Sequence, residues 1–236
     1  VRNKHTACEE VGINSQRVDL PANATQQAVV DEIERLNKDP SIHAYLIQHP
    51  VPEHIDYSEL LMAVDPNRDA DGLHPVNLGY LALGATGHPR PCTPLGIVEL
   101  LVRHGVQIEG AHVAVIGRGM TVGRPLSMLL SLKEPNANAT VTQCHTGTKD
   151  VAALARQADI VVAAVGRPHF VTSEMVKPGA AVVDVGLTRT ENGIVGDVHP
   201  DVAHVASWLS PMPGGVGPMT IAMLLKNTVS AANKVL

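Results

Sequence analysis

An α/β fold of two domains, one of them a doubly wound nucleotide-binding domain, is predicted by three features of the chain. The segment VAVIGRGMTVGRP, residues 113–125, passes from an apolar run straight into glycines and then into a helix start. From residue 111 onward, short β-rich runs alternate with helical patterns at the rate of a parallel sheet with crossover helices. Aromatic residues are only 2% of the chain while hydrophobic residues are 44%, so the cores are built from Ala, Val, Leu and Ile, as suits parallel strands covered on both faces.

The glycine turn organises the rest. Val113–Ile116 are expected to form a buried strand, and Gly117, Gly119 and Gly123 to let main-chain N–H groups approach a phosphate at a helix N-terminus, with Thr121 and Val122 on the same turn. The spacing is G-x-G-x-x-x-G, one residue longer than the common dinucleotide fingerprint. A glycine-rich strand-to-helix turn also occurs in α/β proteins that bind no dinucleotide. The strands expected next are 139–144, 158–164, 180–185 and 207–210, with a helix over 149–157.

Ahead of this domain, residues 2–11 read as a helix stopped by Gly12, and Arg17–Leu20 as a short strand. Thr25 is the expected N-cap of a helix through Asn37, with Val29, Ile33 and Leu36 on one face. IHAYLIQ, residues 42–48, reads as a core strand whose end delivers Gln48 to the loop HPVPEH, where Pro50 and Pro52 forbid a central strand. A helix around 56–63 precedes a polar loop, DPNRDADGLHPVN. Thr93 and Pro94 form an N-cap and first-turn pair for a helix to about His104. The segment 210–220, SPMPGGVGPMT, is too rich in Pro and Gly for a regular element. In the final helix, Ala222, Leu225, Val229, Ala232 and Leu236 form one apolar stripe.

At 236 residues the chain has ample material for two modest cores. A net charge of −5 without a basic stripe argues against nucleic acid as a partner. Cys8, Cys92 and Cys144 are odd in number and far apart, which fits a reducing cytoplasm. No run approaches the roughly 20 apolar residues a membrane span requires. Twelve histidines are present, yet none stands in a metal-binding spacing, and no metal site is expected.

The second strand of a dinucleotide fold ends in an acid when the ribose 2′-hydroxyl is to be bound. Here that region reads Gln143, Cys144, His145, Thr146. With no acid to repel a 2′-phosphate, and Arg118 in the glycine turn, NADP is the expected cofactor. Arg118 pointing into solvent is the alternative. His145 and His169 are placed to meet ribose or phosphate, or simply to pack. Asp69 and Asp71 in RDADG are either a paired-carboxylate site or a polar turn, for which Asp-Gly is a common solution.

Six segments together resemble one family, the methylenetetrahydrofolate dehydrogenase/cyclohydrolases: VRNK at 1–4, QHPVP at 48–52, DADGLHP at 69–75, RPCTPLG at 90–96, GRGMTVGRP at 117–125 and PMPGGVGPMT at 211–220. The similarity extends along essentially the whole chain and is in the family's order. It implies an α/β folate-binding catalytic domain, residues 1–97 plus 218–236, and a Rossmann-type NADP-binding domain, residues 98–217, in a cytoplasmic homodimer. The implied substrates are tetrahydrofolate one-carbon derivatives, and the implied setting is the supply of one-carbon units to purine biosynthesis. Lys4 matches the family's catalytic lysine, Gln48 the glutamine supporting it, and Asp71 the acid that binds the pterin ring. Arg118 and Thr146 match positions that hold the NADP 2′-phosphate. His145 and Gly166 are assigned to the cofactor, and Pro213, Gly214 and Gly215 to the substrate.

The chain departs from the family at Gly119 and Thr146, where Ser is common, at His49, where Leu is common, and at Thr188, where Asn is common. The family's Tyr-x-x-x-Lys motif would place its tyrosine one residue before Val1, after a strand and helix of on the order of 30 residues, so this sequence is expected to be part of a longer chain. Two other readings stand beside the resemblance: a dinucleotide-binding scaffold without turnover, and another NADP-linked dehydrogenase of similar fold.

Overall fold

A computed structural model describes residues 2–191 and 193–233. The chain forms two compact units, Val1–Cys92 with Ile221–Leu236, and Thr93–Thr220.

In the first unit, α1 (Arg2–Glu10) stops where expected, at Gly12, whose positive φ of 76° lets its N–H reach Glu9 O and the Ile13 N–H reach Cys8 O. The strand expected at 17–20 is not formed. Those residues are exposed coil, with Arg17 paired to Asp19, and no neighbouring strand meets them among the described residues.

Helix α2 (Gln26–Lys38) is capped by Thr25, whose hydroxyl accepts from Ala28 N at 3.2 Å, and α3 (Tyr57–Ala63) by Asp56, which accepts from Ser58 N and Glu59 N. Ile33 of α2 packs with Ile55, Leu60 and Val64 in a small core. Two polar side chains stitch this core together. Asn37 donates to Ala63 O and accepts from Tyr45 Oη and Asp65 N; Arg68 donates to the carbonyls of Leu36, Asp39 and Ile42, at and beyond the end of α2, where a cation also suits the helix dipole.

Residues 42–48 are extended but do not make the expected core strand. They hold a single parallel bridge, in which Tyr45 N donates to Arg68 O and Ala70 N to Tyr45 O. The bridge still fixes Gln48 relative to the DADG loop. That loop ends earlier than expected, because Pro75 occupies the first turn of α4 (Pro75–Ala82) and His74 Nδ1 accepts from Val76 N.

Helix α5 (Cys92–Arg103) begins one residue before the expected Thr93 cap. Cys92 N is taken by Asp71 O, which leaves Thr93 inside the first turn, where its hydroxyl accepts from Thr220 Oγ1.

The second unit contains β1 (His112–Ile116), α6 (Gly123–Ser131), β2 (Thr140–Cys144), α7 (Val151–Ala155), β3 (Ile160–Ala163), β4 (Ala181–Asp184), β5 (Thr188–Thr190), β6 (Gly193–Val195) and β7 (Trp208–Leu209). Five strands form one parallel sheet in the order β2-β1-β3-β4-β7. Side chains alternate between its faces. Val113, Val115, Ile160, Val162, Ala181 and Val183 pack with Leu100, Leu101, Leu126 and Leu130; Ala114, Ile116, Val161, Ala163 and Val182 pack with Ala155, Val176 and Val202. Both faces are covered, which is the doubly wound α/β architecture expected from the sequence.

Strands β5 and β6 make a separate antiparallel pair that was not anticipated.

Helix α8 (Val216–Ala232) starts inside the segment thought too rich in Pro and Gly for regular structure. Its expected apolar stripe is also misplaced. Met223, Leu224 and Asn227 are buried, whereas Ala222, Val229 and Ala232 are exposed and Leu236 lies outside the described residues. The deciding residue is Asn227, a polar side chain drawn into the buried face by its hydrogen bonds to the carbonyls of Ala70 and Arg90. No helix among the described residues is long and apolar enough to cross a membrane.

Asn37→Ala strips two donors and one acceptor of their partner. It is expected to cost about 1–3 kcal/mol, read as a lower urea midpoint with an unchanged slope.

Candidate functional site

Asp69 and Asp71 stand two residues apart and do different work. The Asp69 carboxylate is buried and accepts from Gly72 N at 3.0 Å, His74 N at 2.7 Å and Asn77 Nδ2 at 3.0 Å. It is the brace of the loop. Gly72 has a φ of 72°, and a Cβ there would run into the backbone of Arg90 and Pro91, so the loop lies directly against that segment. Asn227 holds the other side through Ala70 O and Arg90 O, each at 3.0 Å, and donates to Cys92 Sγ.

This packing leaves Asp71 half-buried at the loop's tip. Desolvation raises its pKa; the nearby Lys4 charge opposes the rise and the Asp69 charge adds to it. Lys4, on α1, donates to Gln48 Oε1 at 3.4 Å, and Gln48 Nε2 donates to His49 O at 2.8 Å. The three residues singled out for catalysis, Lys4, Gln48 and Asp71, are drawn from residues 4–71 and are brought together in the first unit.

Tyr57 was not singled out. Its phenol is pushed up to about 12 by burial, with the charges of Asp71 and Asp69 adding to the effect, so it remains a neutral hydrogen-bonding group beside them. His49, a departure from the family pattern, meets the Tyr57 ring edge-on at 4.9 Å. Asn227 was missed as well; its signal was a lone amide on the helical repeat of Met223.

In the second unit, the glycine turn leaves no space for side chains at two positions. A Cβ on Gly117, which has a φ of 126°, would strike Ala164 O, and one on Gly123 would strike Gly117 O. Gly119 has open space around it and ordinary φ, so nothing steric demands glycine there. Val122 precedes α6 without a side-chain cap; Arg124 N donates to Gly119 O and Pro125 has no N–H, so Gly123 N is the first-turn donor left for an anion. Arg118 and Thr121 are exposed at this turn.

After β2, Gly147 N donates to His145 Nδ1 at 3.1 Å and His145 N to Thr148 Oγ1 at 2.9 Å, folding residues 145–148 into a tight loop with Thr146 exposed. Because Nδ1 accepts, the ring carries its proton on Nε2. Gly166 is exposed with a φ of 65° after β3. Pro213 and Gly214 are exposed, and Gly215 is buried against Pro211 O. These residues fit a dinucleotide: two glycines with no room for a Cβ, an uncapped helix start and a guanidinium at one turn.

Comparison with known proteins gives a consistent picture. Residues 91–236 match the model of the tetrahydrofolate dehydrogenase/cyclohydrolase NAD(P)-binding domain, and residues 1–71 that of the tetrahydrofolate dehydrogenase/cyclohydrolase catalytic domain. Among solved structures, the bifunctional enzyme FolD, a methylenetetrahydrofolate dehydrogenase/cyclohydrolase from Campylobacter jejuni, is 46% identical with a TM-score of 0.95, over 100% of this chain and 83% of that one. A 5,10-methylenetetrahydrofolate dehydrogenase from the silkworm Bombyx mori is 39% identical with a TM-score of 0.94, over 98% and 82%. The Trypanosoma brucei dehydrogenase-cyclohydrolase, solved with NADP cofactor and an inhibitor, is 43% identical with a TM-score of 0.91, over 98% and 80%.

The raised Asp71 pKa has a consequence for stability. The folded state holds this proton more tightly than the unfolded state, so the group's contribution is fully present below the ordinary carboxylate pKa and is lost as pH rises through the folded-state value. Asp71→Asn is therefore expected to raise Tm by a few degrees at pH 7. The gain should shrink towards pH 4 in a thermal-melt series.

Proposed function

Because the chain belongs to the tetrahydrofolate dehydrogenase/cyclohydrolase family, we propose that it oxidises 5,10-methylenetetrahydrofolate with NADP⁺ and then hydrolyses the methenyl product to 10-formyltetrahydrofolate. The observation that carries this reading is the pairing of Lys4 with Gln48 beside Asp71, side chains that no local motif would gather. Bound NADP⁺ supplies the hydride acceptor, and the protein's own part in that step is placement. Gly117, Gly119, Thr121, Val122, Gly123 and Gly166 are assigned to the dinucleotide backbone, Arg118 and Thr146 to the 2′-phosphate, and His145 to the ribose or a phosphate. Pro213, Gly214 and Gly215 are assigned to the substrate.

In the second step, water adds to the cationic methenyl carbon and gives up one proton, and the remaining hydroxyl proton passes to the folate nitrogen whose bond to that carbon breaks, leaving the formyl group on the other nitrogen. Lys4 is assigned the proton transfer as general base. Gln48 orients the amine without adding charge. Asp71 accepts hydrogen bonds from the pterin N–H donors.

The finer setting we assign is a cytoplasmic homodimer feeding one-carbon units to purine biosynthesis. Support comes from the free thiols Cys8, Cys92 and Cys144, which suit a reducing compartment. Sedimentation of the purified chain tests the dimer.

The direct test is to mix the protein, 5,10-methylenetetrahydrofolate and NADP⁺ and follow NADPH. No NADPH would leave a binding protein without turnover. Lys4→Met should slow hydration of the methenyl substrate by about 10²-fold or more while dinucleotide affinity stays near wild type. Undiminished hydration would remove Lys4 from the mechanism. Arg118→Ala should reduce the preference for NADP⁺ over NAD⁺ by roughly ten- to a hundredfold, the worth of one charge-assisted phosphate bond; equal efficiency of the two cofactors in the unmutated protein would contradict the assignment.

A further inference from the structure

Two acids that no part of the proposed chemistry uses are buried side by side at the carboxyl edge of the sheet. Asp184 ends β4 and is 3% exposed, and Asp197 follows β6 and is 0% exposed. The Asp184 carboxyl accepts from Asp197 N at 2.8 Å and Val198 N at 3.1 Å, and its own N–H donates to Ser210 Oγ at 2.8 Å. The Asp197 carboxyl accepts through Oδ2 from Val165 N at 2.6 Å and Gly166 N at 2.9 Å. Its Oδ1 has no hydrogen-bond partner among the described residues and occupies the space a Cβ on Gly186 would need. The arrangement is reciprocal, since the Asp184 carboxyl fills the space a Cβ on Gly196 would need.

Burying a carboxyl is expensive, and an apolar residue of similar size would pack at less cost. What an apolar residue cannot do is collect two successive N–H groups. Those at Val165 and Gly166 belong to the turn that follows β3, and the carbonyl of Ala164 at the start of that turn lies directly against Gly117 of the glycine turn. Loops at the carboxyl ends of parallel strands are where such sheets bind ligands.

We propose that Asp197 is a positioning residue for the dinucleotide: its buried carboxylate sets the path of Val165–Gly166 and, through Ala164, backs the Gly117 turn. Asp184 holds Asp197 in turn, through the two main-chain N–H groups at Asp197 and Val198. The inference rests on the dinucleotide-binding reading above.

The test is calorimetric titration of NADP⁺, and separately of 5,10-methenyltetrahydrofolate, into the unmutated protein, Asp197→Asn and Asp197→Ala. Asparagine keeps one acceptor of the right length but loses the charge, so its NADP⁺ Kd is expected to rise about tenfold, with alanine weaker still and folate Kd within about twofold of wild type. A residue with only a packing role would lower Tm without this split between the two ligands. An unchanged NADP⁺ Kd in both variants overturns the proposal. So does an equal loss for both ligands, or failure of both variants to fold, because Asp197 would then be a general determinant of the fold. If the unmutated protein itself does not bind NADP⁺, it is the functional reading that fails.

Discussion

Carboxylates that accept main-chain N–H bonds hold the loops on which both candidate sites are built. Asp69 collects two N–H groups of its own loop and the Asn77 amide, Asp184 collects two from the segment after β6, and Asp197 collects two from the turn after β3. Each is buried. A carboxylate is suited to this because two oxygens with several lone pairs can satisfy divergent donors that no strand or helix would pair. Irregular backbone can then be packed tightly without leaving orphaned donors, and loop side chains such as Asp71 are released for other work.

The tightness has a second cause in glycine. Gly72, Gly117 and Gly123 each sit where a Cβ would overlap backbone, and Gly186 and Gly196 where one would overlap a carboxyl. Close approach of chain to chain is thus a recurring feature of the site loops, and it goes with a core made almost wholly of aliphatic side chains. Small and branched residues let the parallel sheet of the second unit be covered on both faces at close range. Position-specific loops and a generic aliphatic interior divide the labour: the interior supplies stability, and the loops supply geometry.

Asp71 shows what that geometry costs. Its burial raises its pKa and works against the folded state at neutral pH, a penalty tolerated at sites that need a preorganised charge. Tyr57 lies beside it, against the ring of His49, which the family resemblance marks as a departure, and the sequence gives little warning of Tyr57, which sits in the first turn of a helix whose pattern is explained by Leu60 and Leu61 alone.

The local signals in the chain determined the two-domain α/β class, the parallel strands of the second unit, the Thr25 cap and the glycine turn, since each depends on side-chain period, capping chemistry or the absence of a Cβ within a few residues. The family motifs likewise marked Lys4, Gln48 and Asp71 as belonging together. Tertiary structure decided the rest. Residues 42–48 have strand character, yet whether they pair is settled by what lies beside them, and a single bridge to Asp69 is what they find. The buried face of α8 was misjudged because hydrophobicity cannot foresee that Asn227 is satisfied by carbonyls more than 130 residues away. Asp184 and Asp197 look like ordinary polar turn residues until the fold buries them. Burial and hydrogen-bond partners are properties of the packed chain, and a side chain's polarity alone does not reveal them.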